Sequence, residues 1–101
     1  MPGDPTVLSG GALDALVRQI IAEVLVVSLE RVKPEAALGA DLGAESIDYL
    51  DLLFRLEEAL GKPVQPSRWA EFLRRRLPGG NFGVSITVAI VREFAEQEAG
   101  T

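Results

Sequence analysis

The sequence predicts an all-α protein, a small bundle of four helices of which three are long and one is short. Apolar residues recur at the three- and four-residue spacing of a helix in three stretches, 13–25, 47–60 and 88–94. No stretch shows the alternation of apolar and polar residues that marks a half-buried strand. With 101 residues, of which 48% are hydrophobic and 25% charged, the chain can build one modest core in one domain.

The first helix is expected to begin at Ser9 or Gly10, after a flexible leader at residues 1–9 that is rich in proline, glycine and small polar residues. The domain would therefore span residues 10–101. The helix is expected to end between residues 26 and 29, and Pro34 opposes helical backbone at the residue before it. Its predicted apolar face consists of Leu13, Leu16, Val17, Ile20, Ile21, Val24 and Leu25.

A long loop is expected from there to Glu45, and a loop of this length in a compact domain usually has a function. We expect Leu38 and Leu42 to pin it to the core. Gly43, three residues before Ser46, is expected to adopt positive φ or to admit another protein's backbone. The simpler alternative is that it only makes a turn.

The second helix, at about residues 46–60, is both apolar and acidic. Ile47, Leu50 and Phe54 extend its apolar arc; we predict partner contact for Ile47 and Leu50, and burial for Phe54. The segment 41–61 holds six carboxylates and one arginine, so its formal charge equals the −5 of the whole chain and can steer a basic partner. The alternative is that its acids only form a solvated face. The predicted core face consists of Tyr49, Leu52, Leu53, Leu56, Ala59 and Leu60.

After an extended stretch at residues 62–66, Ser67 is predicted to cap a short third helix that ends at about Arg76. Its inner face is expected to hold Trp69, Phe72, Leu73 and Leu77. The arginines at 74–76 are explained by the helix dipole more simply than by a phosphate-binding patch. A turn at 78–83 is followed by a last helix, capped by Ser85 or Thr87, with Val88, Ile90, Val91 and Phe94 in the core and Gly100 at its end.

The chain contains no histidine and no cysteine, which excludes disulfides, thiol nucleophiles, serine–histidine pairs and nearly every transition-metal site. We therefore predict no catalytic residue and no metal ligand. The acidic balance argues against a nucleic-acid partner. Because neither a secretory signal nor a membrane-length apolar stretch is evident, we expect a cytoplasmic, monomeric protein that is not embedded in a membrane.

Residues 41–48 read Asp-Leu-Gly-Ala-Glu-Ser-Ile-Asp, which resembles the attachment motif of the acyl carrier proteins. The stretch 29–38 is similar to that family's loop between its first two helices, and 87–94 is similar to its last helix. The resemblance covers roughly residues 12–98. It implies the acyl carrier fold, with a long loop between helices 1 and 2 and a segment between helices 2 and 4 that is longer here than in ordinary members.

The resemblance also implies a function for Ser46. A phosphopantetheinyl transferase would attach 4′-phosphopantetheine from coenzyme A to this serine, and the arm would hold acyl groups as thioesters. Other expected partners are acyl-loading and acyl-transferring enzymes with basic docking surfaces. The residues expected to recognise partners are Asp41, Glu45, Ile47, Asp48, Leu50 and Asp51.

Glu45, Tyr49 and the tail of the second helix look more like specialised bacterial carriers, including the long-chain carriers of lipid A synthesis. A role in fatty-acid or lipid synthesis is therefore the main hypothesis, with a polyketide or peptidyl carrier as one alternative. Trp69 and Phe72 either widen the interior for a long acyl chain or only fill it. Outside the carrier class, the alternatives are an unmodified helical interaction module, in which Ser46 is only a helix cap, and, marginally, a serine hydrolase.

Overall fold

The computed structural model describes residues 10–77 and 86–100 of the chain. The described helices are α1 (Gly10–Leu25), a 3-10 helix (Leu29–Arg31), α2 (Ser46–Leu60), α3 (Pro66–Arg76) and α4 (Val88–Ala99). These residues form no strand, only an isolated antiparallel bridge between Ala37 and Thr87. The all-α prediction with four helices is confirmed. The leader at 1–9, the turn at 78–83 and the Ser85 cap were predicted for residues outside the described ranges.

The core lies between α1, α2 and α4. Its buried apolar members from these helices are Leu13, Val17, Ile20, Ile21, Leu52, Leu53, Leu56, Val88, Ile90, Val91, Phe94 and Ala95. The predicted apolar faces therefore point inward, and Tyr49 and Leu60 are half-buried at the edge of the core. Ala59 was predicted to be buried but is exposed, because it lies in the last turn of α2 just before the chain leaves the helix at Gly61.

In the described part of the chain, no helix combines the length and apolarity needed to cross a membrane.

Val26, the residue that follows α1, has a strained backbone conformation. Val26 adopts a left-handed backbone with φ of 54° and is 88% exposed. This conformation lets the Val27 N–H donate to the Ala22 carbonyl at 3.1 Å, which satisfies a carbonyl of the last turn. Left-handed backbone is unfavourable by roughly 1–2 kcal/mol in a residue that has a Cβ. The predicted end of the helix at this point is confirmed.

The long loop before α2 is fixed to the beginning of α4. Leu38 and Leu42 are both buried, as predicted. The Leu38 N–H donates to the Ile86 carbonyl at 2.9 Å, and the Val88 N–H donates to the Ala36 carbonyl at 3.0 Å. Thr87 then caps α4, its hydroxyl accepting from the Ile90 N–H at 3.3 Å. The predictions for the Thr87 cap and for the end of the helix at Gly100 are confirmed.

The beginning of α3 differs from the prediction. Gln65 is the N-cap and Pro66 is the first helical residue, so Ser67 lies inside the helix and does not cap it. The physical reason is that proline suits the first helical position, where its fixed φ is helical and its missing N–H has no partner to lose. The extended stretch therefore ends at Gln65, whose φ of −82° and ψ of 139° are extended.

Two ion pairs join α3 to α4. Near one end, Arg68 Nε lies 3.0 Å from Glu98 Oε1 and Arg68 Nη2 lies 2.9 Å from Glu98 Oε2. Near the other end, Arg76 Nε and Nη2 lie 2.9 and 3.1 Å from the two carboxylate oxygens of Glu93. Glu98 is only 1% exposed, so it needs this partner to remain ionised. Burial acts to raise the pKa of Glu98, but the hydrogen bonds from Arg68 and Gln97 outweigh burial and lower it below the ordinary value of 4.5.

We predict that Glu98→Gln lowers the free energy of unfolding at pH 7 by about 1–3 kcal/mol, since a buried, charge-assisted hydrogen bond is lost. Because the pKa of Glu98 is lowered in the folded state, its contribution is fully present above the ordinary value of 4.5 and is lost as the pH falls through the lowered pKa. The difference between the variant and the parent should therefore shrink at acid pH. Urea unfolding between pH 2.5 and 7 measures it.

Glu96→Gln is the matched control, since Glu96 is on the same helix and exposed. This variant should unfold within about 0.5 kcal/mol of the parent at every pH. A Glu98→Gln difference that stays constant down to pH 2.5 would contradict the ion-pair explanation and would point to altered packing.

Candidate functional site

Ser46 is the first residue of α2, and its side chain is exposed. Glu45 holds the N-cap position, with extended backbone (φ −107°, ψ 167°). The Glu45 N–H donates to Asp48 Oδ2 at 2.8 Å, one half of a capping box. The alternative in which Ser46 serves as the helix cap is therefore wrong, because Glu45 and Asp48 perform the capping. Within the described residues the Ser46 hydroxyl makes no hydrogen bond to the protein, so it is free to react.

The end of the long loop, just before Ser46, is fixed by a backbone hydrogen bond. The Ala44 N–H donates to the Leu38 carbonyl at 2.8 Å, two residues before the serine. Gly43 has φ of 78°, which confirms the predicted positive φ. Apart from its two chain neighbours, a Cβ at Gly43 would meet no atom of the described residues within 4 Å, so the glycine is required by the backbone angle.

Asp41 helps to build this loop. Its Oδ2 accepts from the Ala37 N–H at 2.8 Å, and its carbonyl accepts from Arg31 Nη2, also at 2.8 Å. We predicted Asp41 as a residue for partner recognition, a role that nothing in the structure tests. The contacts add a structural role that the sequence reasoning did not find, although aspartate side chains can bond to backbone groups three or four residues earlier.

The acidic side chains of α2 differ in whether they are engaged in contacts with other groups of the protein. Asp51 Oδ1 lies 3.4 Å from Arg55 Nε, and Arg55 Nη1 lies 3.2 Å from Glu23 Oε1 on α1. Glu57 Oε1 accepts from the Val64 N–H at 3.0 Å and so holds the chain after α2. Glu45 is exposed and lies with Asp48 directly beside Ser46. Glu45 and Asp48 therefore place two acidic side chains at the serine end of the helix.

An apolar patch on α2 lies next to these acids. Its members Ile47, Leu50 and Phe54 are 70%, 49% and 66% exposed. The prediction that Phe54 is buried is wrong. Phe54 follows Ile47 by seven residues and Leu50 by four, so it shares their helix face, which points away from the face of Leu52, Leu53 and Leu56. Its spacing from Leu50 was the signal that could have placed it in this patch.

An open, mainly apolar groove with a volume of about 510 Å³ lies between α2 and α3, and Ser46 is one of the residues that line it. Residues on its walls include Ser46, Tyr49, Leu50, Leu53, Trp69 and Ile86. Burial, with a smaller contribution from Asp48, raises the pKa of Tyr49 above its ordinary value of 10.0, so its phenol is neutral at physiological pH. The groove was not predicted from the sequence, because it depends on how α3 lies against α2.

Trp69 and Phe72 fill the interior and do not widen it. The Trp69 ring packs edge-on against Phe94, with 5.0 Å between ring centroids and 68° between ring planes. Phe72 lies 5.4 Å from Phe94 and 6.2 Å from Trp69 by the same measure. The void that remains between α1, α2, α3 and α4 measures about 20 Å³, room for roughly one water molecule.

This arrangement exposes a hydroxyl that can accept a group, and the described residues bring no general base to it. The chain contains no histidine, and no basic side chain among the described residues bonds to Ser46. The described residues also bring no set of acidic side chains into a cluster that could hold a metal ion. The free N–H groups and positive dipole at the beginning of α2 favour a phosphate on Ser46, whereas Glu45 and Asp48 repel one. An attached phosphodiester would therefore be held toward solvent.

Comparison with known proteins agrees with this chemistry. A family model described as a phosphopantetheine attachment site matches residues 15–73, a region that contains α2 and the loop before it. The chain is 44% identical over 53 residues to an acyl carrier protein of Nitratidesulfovibrio vulgaris (strain DP4), covering 52% of this chain and 70% of that protein. It is 41% identical over 58 residues to an acyl carrier protein of Thermosynechococcus vestitus, covering 57% and 70%.

A more distant similarity, 34% over 55 residues, links the chain to acyl carrier protein AcpXL of Rhizobium meliloti (strain 1021) and covers 54% of this chain and 58% of that protein. The region matched by the family model is more than half of the chain. It follows that this protein belongs to the phosphopantetheine-attachment family as an acyl carrier protein, a carrier and not an enzyme, whose cofactor is covalently attached 4′-phosphopantetheine.

Proposed function

We propose that Ser46 is the residue that carries 4′-phosphopantetheine and that the protein is a specialised, monomeric carrier for fatty-acid or lipid synthesis in the cytoplasm, with lipid A as a candidate pathway. The attached arm supplies a thiol that holds acyl groups as thioesters. The observation that carries the proposal is the free, exposed hydroxyl of Ser46 at the first position of α2, where Glu45 and Asp48 have taken over the capping. The partial similarity to AcpXL supports a specialised role.

The partners proposed for this site are a phosphopantetheinyl transferase and acyl-handling enzymes that dock on α2. Glu45, Asp48 and Asp51 offer negative charge to basic docking surfaces, and Ile47, Leu50 and Phe54 offer an apolar contact. Exposed apolar side chains beside charged ones are typical of a protein-interaction site. In this proposal the acids mainly accelerate encounter, and the apolar patch mainly determines how long the complex lasts.

We predict that Ser46→Ala abolishes modification and leaves the fold intact. The measurement is the intact mass after incubation with coenzyme A, Mg²⁺ and a broad-specificity phosphopantetheinyl transferase. The parent should gain one phosphopantetheine unit and the variant none. Since the hydroxyl is exposed and makes no hydrogen bond among the described residues, the free energy of unfolding should change by less than about 0.5 kcal/mol.

Ser67→Ala is the control, because Ser67 is also an exposed serine in the first turn of a helix. It should be modified at the parent rate. If the parent gains no mass beside a carrier that does, or if Ser46→Ala is still modified, the assignment of Ser46 is wrong.

We predict that Phe54→Ala slows modification by about five- to tenfold, equivalent to roughly 1 kcal/mol or slightly more, because an exposed aromatic side chain in a docking site is a frequent hot spot. The unfolding free energy should remain within about 0.5 kcal/mol, since little burial is lost. Transferase kinetics at subsaturating carrier concentration measure the effect. Leu29→Ala, which removes an exposed leucine in the 3-10 helix, should have no effect. Equal rates for Phe54→Ala and the parent would remove Phe54 from the docking site.

We predict that Asp51→Asn slows the same reaction by about two- to fivefold at low salt, because the positive partner is then steered less strongly. The difference should disappear toward 1 M salt, where the Debye length falls to about 3 Å. Glu96→Gln, which neutralises an exposed acid on α4, is the matched control and should follow the parent at every salt concentration. A deficit that does not depend on salt would contradict the steering argument.

A further inference from the structure

Arg31 reaches from the 3-10 helix to the turn that precedes Ser46. Its Nη2 donates to the Asp41 carbonyl at 2.8 Å, across a separation of 10 residues in the chain. The backbone N–H groups of residues 41–44 all donate to carbonyls of residues 37–39, at distances between 2.8 and 3.2 Å. These two stretches therefore form one internally bonded turn, and Arg31 bonds to it from outside.

This turn, residues 37–44, has polar attachments on two sides. On one side the Leu38 N–H donates to the Ile86 carbonyl at 2.9 Å, just before α4. On the other side, within the described residues, the polar contact that holds the turn is the bond from Arg31 to Asp41. Because the turn is bonded internally, its position relative to the bundle depends on these two attachments and on its buried leucines.

The segment that carries Arg31 is itself fixed to α1. Arg18 Nε donates to the Val32 carbonyl at 2.9 Å, and Arg18 Nη2 lies 3.3 Å from the Leu29 carbonyl. The side chain of Val32 is fully buried. Arg31 therefore extends from a firmly held backbone, and its bond to Asp41 has a charged donor, which makes it stronger than a bond between neutral groups.

The chemistry expected at Ser46 depends on where its hydroxyl points. In the attachment reaction the serine oxygen attacks the phosphorus that carries the pantetheine group of coenzyme A. A new O–P bond forms, the P–O bond of the diphosphate breaks, adenosine bisphosphate leaves, and the hydroxyl proton passes to a base of the transferase. A misplacement of about 1 Å in such a reaction can lower the rate by roughly 10²-fold.

We propose that Arg31 is a positioning residue for Ser46, which fixes the turn before α2 from the α1 side and so holds the hydroxyl where the transferase can use it. The inference rests on the proposed attachment at Ser46. Arg31 acts through the Asp41 carbonyl and not on the hydroxyl itself. A role of Arg31 through charge alone predicts the opposite effect, because removal of a cation makes a carrier of net charge −5 more attractive to a basic enzyme.

The kinetic test compares Arg31→Gln and Arg31→Lys with the parent in kcat and KM for the carrier, using coenzyme A, Mg²⁺ and a broad-specificity phosphopantetheinyl transferase. We expect Arg31→Gln to lower kcat by about three- to tenfold and to leave KM within about twofold, because the docking residues of α2 are unchanged. Arg31→Lys retains a charged donor for this single bond, so its kcat should stay within about twofold of the parent value.

Arg92→Gln is the matched control, since it removes the same charge from α4, where Arg92 pairs with Asp14 at 3.9 Å. Its kcat should equal that of the parent. Equal kcat for Arg31→Gln and the parent would overturn the inference. A defect confined to KM that disappears at high salt would also overturn it, because Arg31 would then act by electrostatic attraction.

Hydrogen exchange in the unmodified protein tests the attachment of the turn without the transferase. The amide of Ala44 should exchange about three- to tenfold faster in Arg31→Gln than in the parent, whereas that of Leu38, bonded to Ile86, should keep its rate. Unchanged exchange at Ala44 would overturn the inference even if kcat falls. A parent that gains no phosphopantetheine would instead remove the assignment of Ser46, a failure that is independent of the exchange at Ala44.

Discussion

The functional end of this protein depends on the two backbone hydrogen bonds of Leu38. Its N–H donates to Ile86 at 2.9 Å, just before α4, and its carbonyl accepts from Ala44 at 2.8 Å, just before Ser46. The side chain between these bonds is fully buried. One residue thus connects the serine loop to the core and to the last helix. A loop that would otherwise be mobile holds Ser46 in a defined place while leaving its hydroxyl free.

Acidic side chains are concentrated near Ser46, whereas three arginines lie together at the end of α3. The acids of the serine end are partly used in structure, since Asp48 and Asp41 accept backbone N–H groups, yet they remain close to solvent. Two arginines of α3 have a different role, because Arg68 and Arg76 form ion pairs that join this helix to α4. In the proposed function, the acids of α2 serve recognition, whereas the arginines of α3 serve stability. Surface pairs alone would stabilise little, but the buried carboxylate of Glu98 makes one of these pairs a strong constraint.

Periodicity was sufficient to predict the four helices, most of the core faces and the end of α4, because these features follow from local spacing and from burial. It was insufficient where two demands compete. Phe54 is apolar at a helical spacing that suits two faces, and only the packing of α1 against α2 decides which face is buried. Serine and proline are both favoured near the first residue of a helix, and the fixed φ of Pro66 placed it, and not Ser67, at the beginning of α3. The position of Ser46 relied on resemblance to a family, since a lone serine at a helix beginning is usually a cap.

The groove was beyond reach of the sequence because it needs α3 to be placed against α2, whereas Ile47 and Leu50 of the apolar patch were singled out from the sequence. Leu50 belongs to both, since it lines the groove and lies between Ile47 and Phe54 in the patch. A partner that covers the patch therefore also lies over the edge of the groove. In the proposed function, docking on the patch and access to the groove beside Ser46 would therefore be coupled by geometry, with no conformational signal required between two distant sites.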